Sequence, residues 1–225
     1  MTTLYQFSCN RYDRQFAQAT RLGTWSPQPT PAMCPECTRS LQTRIRPLII
    51  TWEPSSDLIG DFTWPGLLDD MIVTDRVKQC LEGKVRGVEF SPIVVKGTPL
   101  PSRGKKGRAS PSSTEVRENL LPLWDMWINA QCRLDHLASS IEVKKQCGTC
   151  NHVFYFSNQN WEGLVVSSES WHGENVFRCV ETPVWNYALQ DIRDAIVLGG
   201  FTNVTLLERG TVPTGQEDPA GSPTD

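Results

Sequence analysis

Apolar and polar positions along the chain mark out short strands and two short helices, in a pattern that occurs twice. Leu4, Gln6 and Cys9 alternate with Tyr5 and Phe7, which predicts a short N-terminal strand. Residues 24–31 hold Pro27, Pro29 and Pro31, which exclude a helix and predict an extended segment. Leu48-Ile49-Ile50-Thr51-Trp52 is an apolar, β-rich run ended by Pro54, Ser55, Ser56 and Asp57. From Asp61 a fuller unit begins. Asp61-Phe62-Thr63-Trp64 leads in, and Met71-Ile72-Val73 forms a strand. Thr74-Asp75 is placed to cap a helix carrying Val77, Cys80 and Leu81, and Gly83 stops it. Gly87 to Val95 returns as a strand with alternating faces.

The same order recurs in the second half. Phe177 takes the place of Phe62, Tyr187-Ala188 that of Ile72-Val73, and Ile192 and Ile196 those of Val77 and Leu81. Gly199-Gly200 ends the second helix. Phe201, Val204 and Leu206 then match Val85, Val88 and Phe90. The pairing predicts an internal repeat, although strand–helix–strand patterns also resemble one another by chance. Trp124, Trp127 and Ile128 stand at three- and four-residue spacing and predict a short helix face. Phe154 and Phe156 alternate with Val153 and Tyr155 in a strand, and Leu164-Val165-Val166 is expected to pair back with it.

Between the halves, residues 97–119 are rich in Gly, Pro and Ser. They read as a flexible linker with a basic cluster at Arg103, Lys105, Lys106 and Arg108. The expected organisation is an N-terminal half (1–96), this linker (97–119), a C-terminal half (120–209) and a disordered tail (210–225).

Composition narrows the class. A chain of 225 residues with eight Trp and eight Phe has material for a core, and a net charge of −3 argues against general nucleic-acid affinity. No apolar run is long enough to span a membrane. Residues 1–7 lack a basic stretch followed by a long apolar one, so a cytoplasmic location is expected.

The sharpest chemical signal is two Cys-x-x-Cys pairs, Cys34–Cys37 and Cys147–Cys150, offset by 113 residues. Each turn brings two sulfurs to one side of a tight loop, and together they supply the four thiolates of a closed tetrahedral zinc site. Disulfides would need an oxidising compartment. A thioredoxin-type redox pair would open a helix, whereas Cys150 runs into the apolar stretch 152–156. Independent thiols are the other alternative. A zinc ion held by four thiolates carries about two units of net negative charge. Arg39, Arg44, Lys144 and Lys145 are near enough in sequence to offset it. Cys9, Cys80, Cys132 and Cys179 are not expected to be ligands, and Cys80 is expected in the core. His152 is close enough to Cys150 to donate to a bound sulfur or replace a ligand. Cys132, Asp135 and His136 form the one conceivable catalytic cluster, which reads better as a helix-surface trio. Asp69 and Asp70 read as turn carboxylates with no special role.

Two Cys-x-x-Cys knuckles, each followed by a phenylalanine lead-in, a strand, a helix and a Gly-Val-x-Phe-type strand, resemble the double-CXXCG motif proteins. The nearest local match is residues 61–92, above all Ile72 to Val77 and Gly87 to Pro92. The resemblance implies four structural zinc ligands, Cys34, Cys37, Cys147 and Cys150, and an immunity-type protein that neutralises a cognate toxin. The family pattern has Gly after the second cysteine of each pair. Here Thr38 and Asn151 stand there, and β-branched Thr tolerates a left-handed backbone poorly, so the first knuckle is expected to relax differently.

The resulting expectation is an α+β fold of two pseudo-repeated strand–helix–strand halves sharing one zinc site. Its function would be non-catalytic protein binding, without membrane contact. The alternative is a zinc-ribbon protein that binds nucleic acid, motivated by the 103–108 cluster and exposed aromatics.

Overall fold

The computed structural model describes residues 1–9, 15–23, 33–41, 43–66, 70–97, 100–101 and 122–213. The expected extended segment at 24–31, the basic cluster at 103–108 and residues 214–225 of the expected tail lie outside the described residues. In chain order the elements begin with β1 (Thr2–Ser8), β2 (Ala19–Arg21), β3 (Ile49–Trp52), β4 (Pro54–Ser55), β5 (Phe62–Thr63) and β6 (Ile72–Thr74). The helix α1 (Asp75–Leu81) follows, then β7 (Val88–Pro92), β8 (Val94–Lys96) and β9 (Leu100–Pro101). The second half contains β10 (Leu123–Ile128), β11 (Gln131–Cys132), β12 (Ile141–Gln146), β13 (Val153–Ser157), β14 (Leu164–Val165), β15 (Val176–Cys179) and β16 (Asn186–Leu189). It closes with α2 (Gln190–Gly199) and β17 (Thr205–Val212). The architecture is α+β, mostly strands with two helices among the described residues.

Two sheets hold the strand–helix–strand units. The larger runs β11-β15-β16-β1-β17-β14 and the smaller β5-β6-β10-β7. Their central parts have one plan. β1 lies between β16 and β17, antiparallel to both, with Gln6 opposite Tyr187 and Leu207. β10 lies between β6 and β7, antiparallel to both, with Asp125 opposite Ile72 and Ser91. The strand from the N-terminal segment therefore completes the sheet of the C-terminal unit, and the strand after residue 121 completes the sheet of the N-terminal unit. The sheets do not follow the 1–96 and 120–209 boundaries.

The two helices bury their apolar faces in one shared core. Val77 and Leu81 of α1 and Ile192 and Ile196 of α2 pack with Phe7, Phe62, Met71, Met126, Val176 and Ala188. The turns at their ends follow backbone freedom. Gly200 caps α2 in the left-handed conformation (φ 58°), which glycine adopts without a Cβ penalty. Thr74 occupies the cap position of α1, but its hydroxyl donates to Asp61 Oδ1 (3.0 Å) and accepts no hydrogen bond from the helix.

Four local expectations are corrected. Leu123 to Ile128 is a strand and not a helix. Six residues, apolar except for Asp125, are too few to separate the two periods, and the two open neighbours β6 and β7 decide between them. Leu164–Val165 pairs in parallel with β17, and Val166 bridges to Leu134, so this segment does not return to β13. β17 continues through residues 210–212 to a fully buried Val212 paired with Thr2, so these three positions of the expected tail are strand. Within the expected linker, Leu100–Pro101 forms a short parallel pair with β4.

Candidate metal centre

Each Cys-x-x-Cys turn is closed by the same two backbone hydrogen bonds. In the first, the Thr38 N–H donates to the Cys34 carbonyl (2.9 Å) and the Cys34 N–H to the Arg39 carbonyl (2.8 Å). In the second, the Asn151 N–H donates to the Cys147 carbonyl (3.0 Å) and the Cys147 N–H to the His152 carbonyl (2.8 Å). This closure requires a left-handed residue after the second cysteine. Thr38 (φ 59°) and Asn151 (φ 58°) both adopt it. The first knuckle does not relax: the loop imposes the conformation on Thr38 despite its branched Cβ. Its hydroxyl donates to the Cys37 carbonyl (2.7 Å).

The two turns face each other. Cys34 Sγ lies 3.6 Å from Cys147 Sγ, and Cys37 Sγ 3.6 Å from Cys150 Sγ, with all four sulfurs within 4.8 Å of one another. A tetrahedral ion with metal–sulfur bonds of about 2.3 Å needs sulfurs about 3.8 Å apart, so the four residues fit one metal ion. Cys34 and Cys147 are buried, while Cys37 and Cys150 are half-buried.

Residues between and beside the cysteines clamp the turns together. The Glu36 carboxylate, inside the first turn, accepts from the backbone N–H of Gly148 (3.4 Å) and Thr149 (3.1 Å) and from the Thr149 hydroxyl (3.0 Å). Lys145 Nζ adds an ionic contact at 3.5 Å. Donation from Cys147, then from Thr149 and the Gly148 N–H, holds Glu36 down at about 2. Arg39 meets His152 Nδ1 across the centre. Each facing pair, 34 with 147, 36 with 149, 37 with 150 and 39 with 152, is offset by 113 residues.

The thiols do not ionise alike. The Cys37 N–H, outweighing burial, brings Cys34 down to about 7. The Cys150 N–H pulls on Cys147 too, but burial and the neighbouring sulfurs of Cys150 and Cys34 push it up to about 12. Removing the first proton is easy and removing the next is opposed by the charge already present, which is the electrostatic demand a cation meets.

The other candidate residues separate from this centre. His152 is not one of the clustered donors. Its Nδ1 is turned to Arg39, its ring stands edge-on to Phe154 (centroids 4.7 Å apart), and burial followed by the Arg39 charge lowers its pKa. Arg44 does not serve the sulfurs, because its guanidinium is held elsewhere. Cys80 is half-buried instead of core, and Cys132 and Cys179 are buried partners on adjacent parallel strands. His136 opens a turn and Asp135 directly precedes it, neither on a helix. His136 Nε2 pairs with Oε1 of the fully buried Glu181 side chain (2.9 Å), which also accepts from the Leu134 N–H (3.1 Å).

A second polar assembly had no motif to announce it. Arg44 Nη1 is 2.7 Å from Asp70 Oδ1, and Nη2 is 2.6 Å from Asp125 Oδ1, both carboxylates being fully buried. Both Arg44 contacts are close enough for ion pairing, but neither Asp70 Oδ1 nor Asp125 Oδ1 is aligned as a hydrogen-bond acceptor. Arg21 also pairs with Asp70. Arg44 and Arg46 lie over the Trp127 ring at 4.6 and 4.9 Å. Asp70 is thus a buried anchor and not an idle turn carboxylate. The signal that could have found Glu36 is weaker but present: a carboxylate inside one Cys-x-x-Cys, facing a glycine in the other.

No protein-family model and no curated protein matches the chain.

Proposed function

We propose that the protein is a non-catalytic, zinc-stabilised protein-binding module of the immunity type, which neutralises a cognate toxin by binding it. The observation that carries this reading is the set of four converging cysteine sulfurs. Soft thiolates in a tetrahedral set suit zinc, and four of them leave no coordination position for water or substrate. The ion then contributes folding energy by joining segments far apart in the chain. Reduced thiols are needed to hold it, which favours the cytoplasm. We further read the two halves as related repeats, supported by their common strand order, the matching knuckle hydrogen bonds and the constant 113-residue offset of facing positions. The resemblance to double-CXXCG motif proteins supplies the immunity role.

Elemental analysis of the purified protein should find about one zinc per chain. The role is tested by co-expression with the product of the neighbouring gene. Rescue of growth together with a stable complex supports it. Unrelieved toxicity together with salt-sensitive RNA or DNA binding would replace it by the nucleic-acid reading.

A further inference from the structure

Among the described residues, the ribbon of β12 and β13 that carries the second knuckle pairs with no other strand. One of its faces is built from alternating residues. Phe154 and Phe156 point the same way, with Lys145 opposite Phe154 and Glu142 opposite Phe156. Phe156 is 51% exposed, a large apolar surface to leave in water. Beside it lies an open cleft of about 250 Å³ lined by Cys37, Lys144, Lys145 and Phe154. The charges around the cleft are unequal. The Glu142 carboxylate accepts from Asn158 Nδ2 (3.0 Å), and Glu36 is held by the second turn and Lys145. Lys144 has no ion-pair partner among the described residues. The face thus offers an apolar recess rimmed by ammonium groups.

We propose that this ribbon face docks an acidic segment of a partner protein, with an apolar side chain entering the cleft and flanking carboxylates meeting Lys144 and Lys145. The proposal rests on the protein-binding reading above and names its contact surface. Addition of a partner strand along β12 is disfavoured, because the ladder is irregular between Val143 and Lys145 and the edge carries two lysines. A nucleic-acid strand is disfavoured because it needs a continuous basic track. Here Lys145 is shared with Glu36 and the chain is net acidic.

The test uses the full-length, metal-loaded protein and two probes: a synthetic peptide of alternating glutamate and leucine, and an oligothymidylate. In an NMR titration the peptide should shift the amide signals of Lys144, Phe154 and Phe156. Phe156→Ser and Lys144→Ala should each weaken it about tenfold, and Phe156→Ser should leave metal content and melting temperature unchanged. No shifts, shifts elsewhere, or undiminished binding by both variants would overturn the proposal. Tighter binding of oligothymidylate at the same residues would overturn it in favour of a nucleic acid. The growth assay separates the two readings. Variants that rescue as fully as the wild type sink the docking surface and spare the immunity role. Failure of the wild type to rescue sinks the immunity role, and the peptide titration alone then decides the surface.

Discussion

The four-cysteine centre and the Arg21–Asp70–Arg44–Asp125 cluster both fasten early segments of the chain to later ones, by opposite means. At the first, four like donors repel one another once ionised, and they are placed so that a cation from outside could hold them. At the second, the cation and anions are all side chains. Arg44 joins the Asp70 loop to β10, and Arg21 brings β2 onto the same carboxylate. The second assembly supplies both signs of charge itself on folding but must overcome the desolvation of two carboxylates with no exposed surface. One fastening is placed to take a metal ion, and the other is made wholly by side chains.

The sharpest way to break the comparison is to remove the ion. Cys34→Ser, Cys150→Ser or a strong chelator should remove about 10 kcal/mol of apparent binding energy, enough to unfold a domain of ordinary stability. Elemental analysis and thermal melting should fall together, whereas Cys9→Ser should change neither. Retained metal and melting in Cys34→Ser would reduce the four cysteines to ordinary thiols.

Removing the shared carboxylate should cost less. Asp70→Asn leaves Arg21 and Arg44 without their common anion, at about 3–5 kcal/mol in urea unfolding. Metal content of the folded fraction should stay unchanged, since the two fastenings share no residue. A simultaneous loss of metal would show them to be one unit.

Asp125→Asn sharpens the contrast by sign. Burial raises the Asp125 carboxyl above its ordinary 3.8, against the pull of Arg44. A carboxyl with a raised folded pKa contributes stability that is present below the unfolded value and is lost as pH rises through the folded one. The asparagine variant should therefore match the wild type near pH 3.8 and be modestly the more stable toward neutrality, read from urea unfolding across that range. Equal losses from Asp70→Asn and Asp125→Asn at neutral pH would refute the division between anchor and passenger.

The smallest effect belongs to the first knuckle. Thr38→Gly removes a Cβ from a left-handed position and should raise stability by up to about 1 kcal/mol, with metal content unchanged. A loss of stability would mean that the Thr38 hydroxyl on the Cys37 carbonyl outweighs the backbone strain.

Much of the local order was legible in the chain. Helix faces at Val77/Leu81 and Ile192/Ile196, the glycine stop at 200 and the two turns of cysteines all follow from short-range spacing, because helical period and turn chemistry act over a few residues. The Trp124–Trp127–Ile128 spacing misled because a six-residue run, apolar but for Asp125, is too short to fix a period of its own. Thr38 misled in the other direction, since a propensity of about 1–2 kcal/mol yields when the loop fixes the backbone.

By itself, then, the sequence determined that there would be two strand–helix–strand units and four cysteines in matched turns, since those depend on neighbours in the chain. Only the tertiary structure decided that β1 and β10 change places, each completing the other unit's sheet. Only there did Glu36 find the amides of Gly148 and Thr149, and Asp70 and Asp125 close on Arg44. The Glu36 contacts follow the 113-residue offset of the two turns, but those of Arg44 join residues tens of positions apart with no spacing rule to announce them. What selects them is the requirement that every open strand edge and every buried charge find a partner in three dimensions.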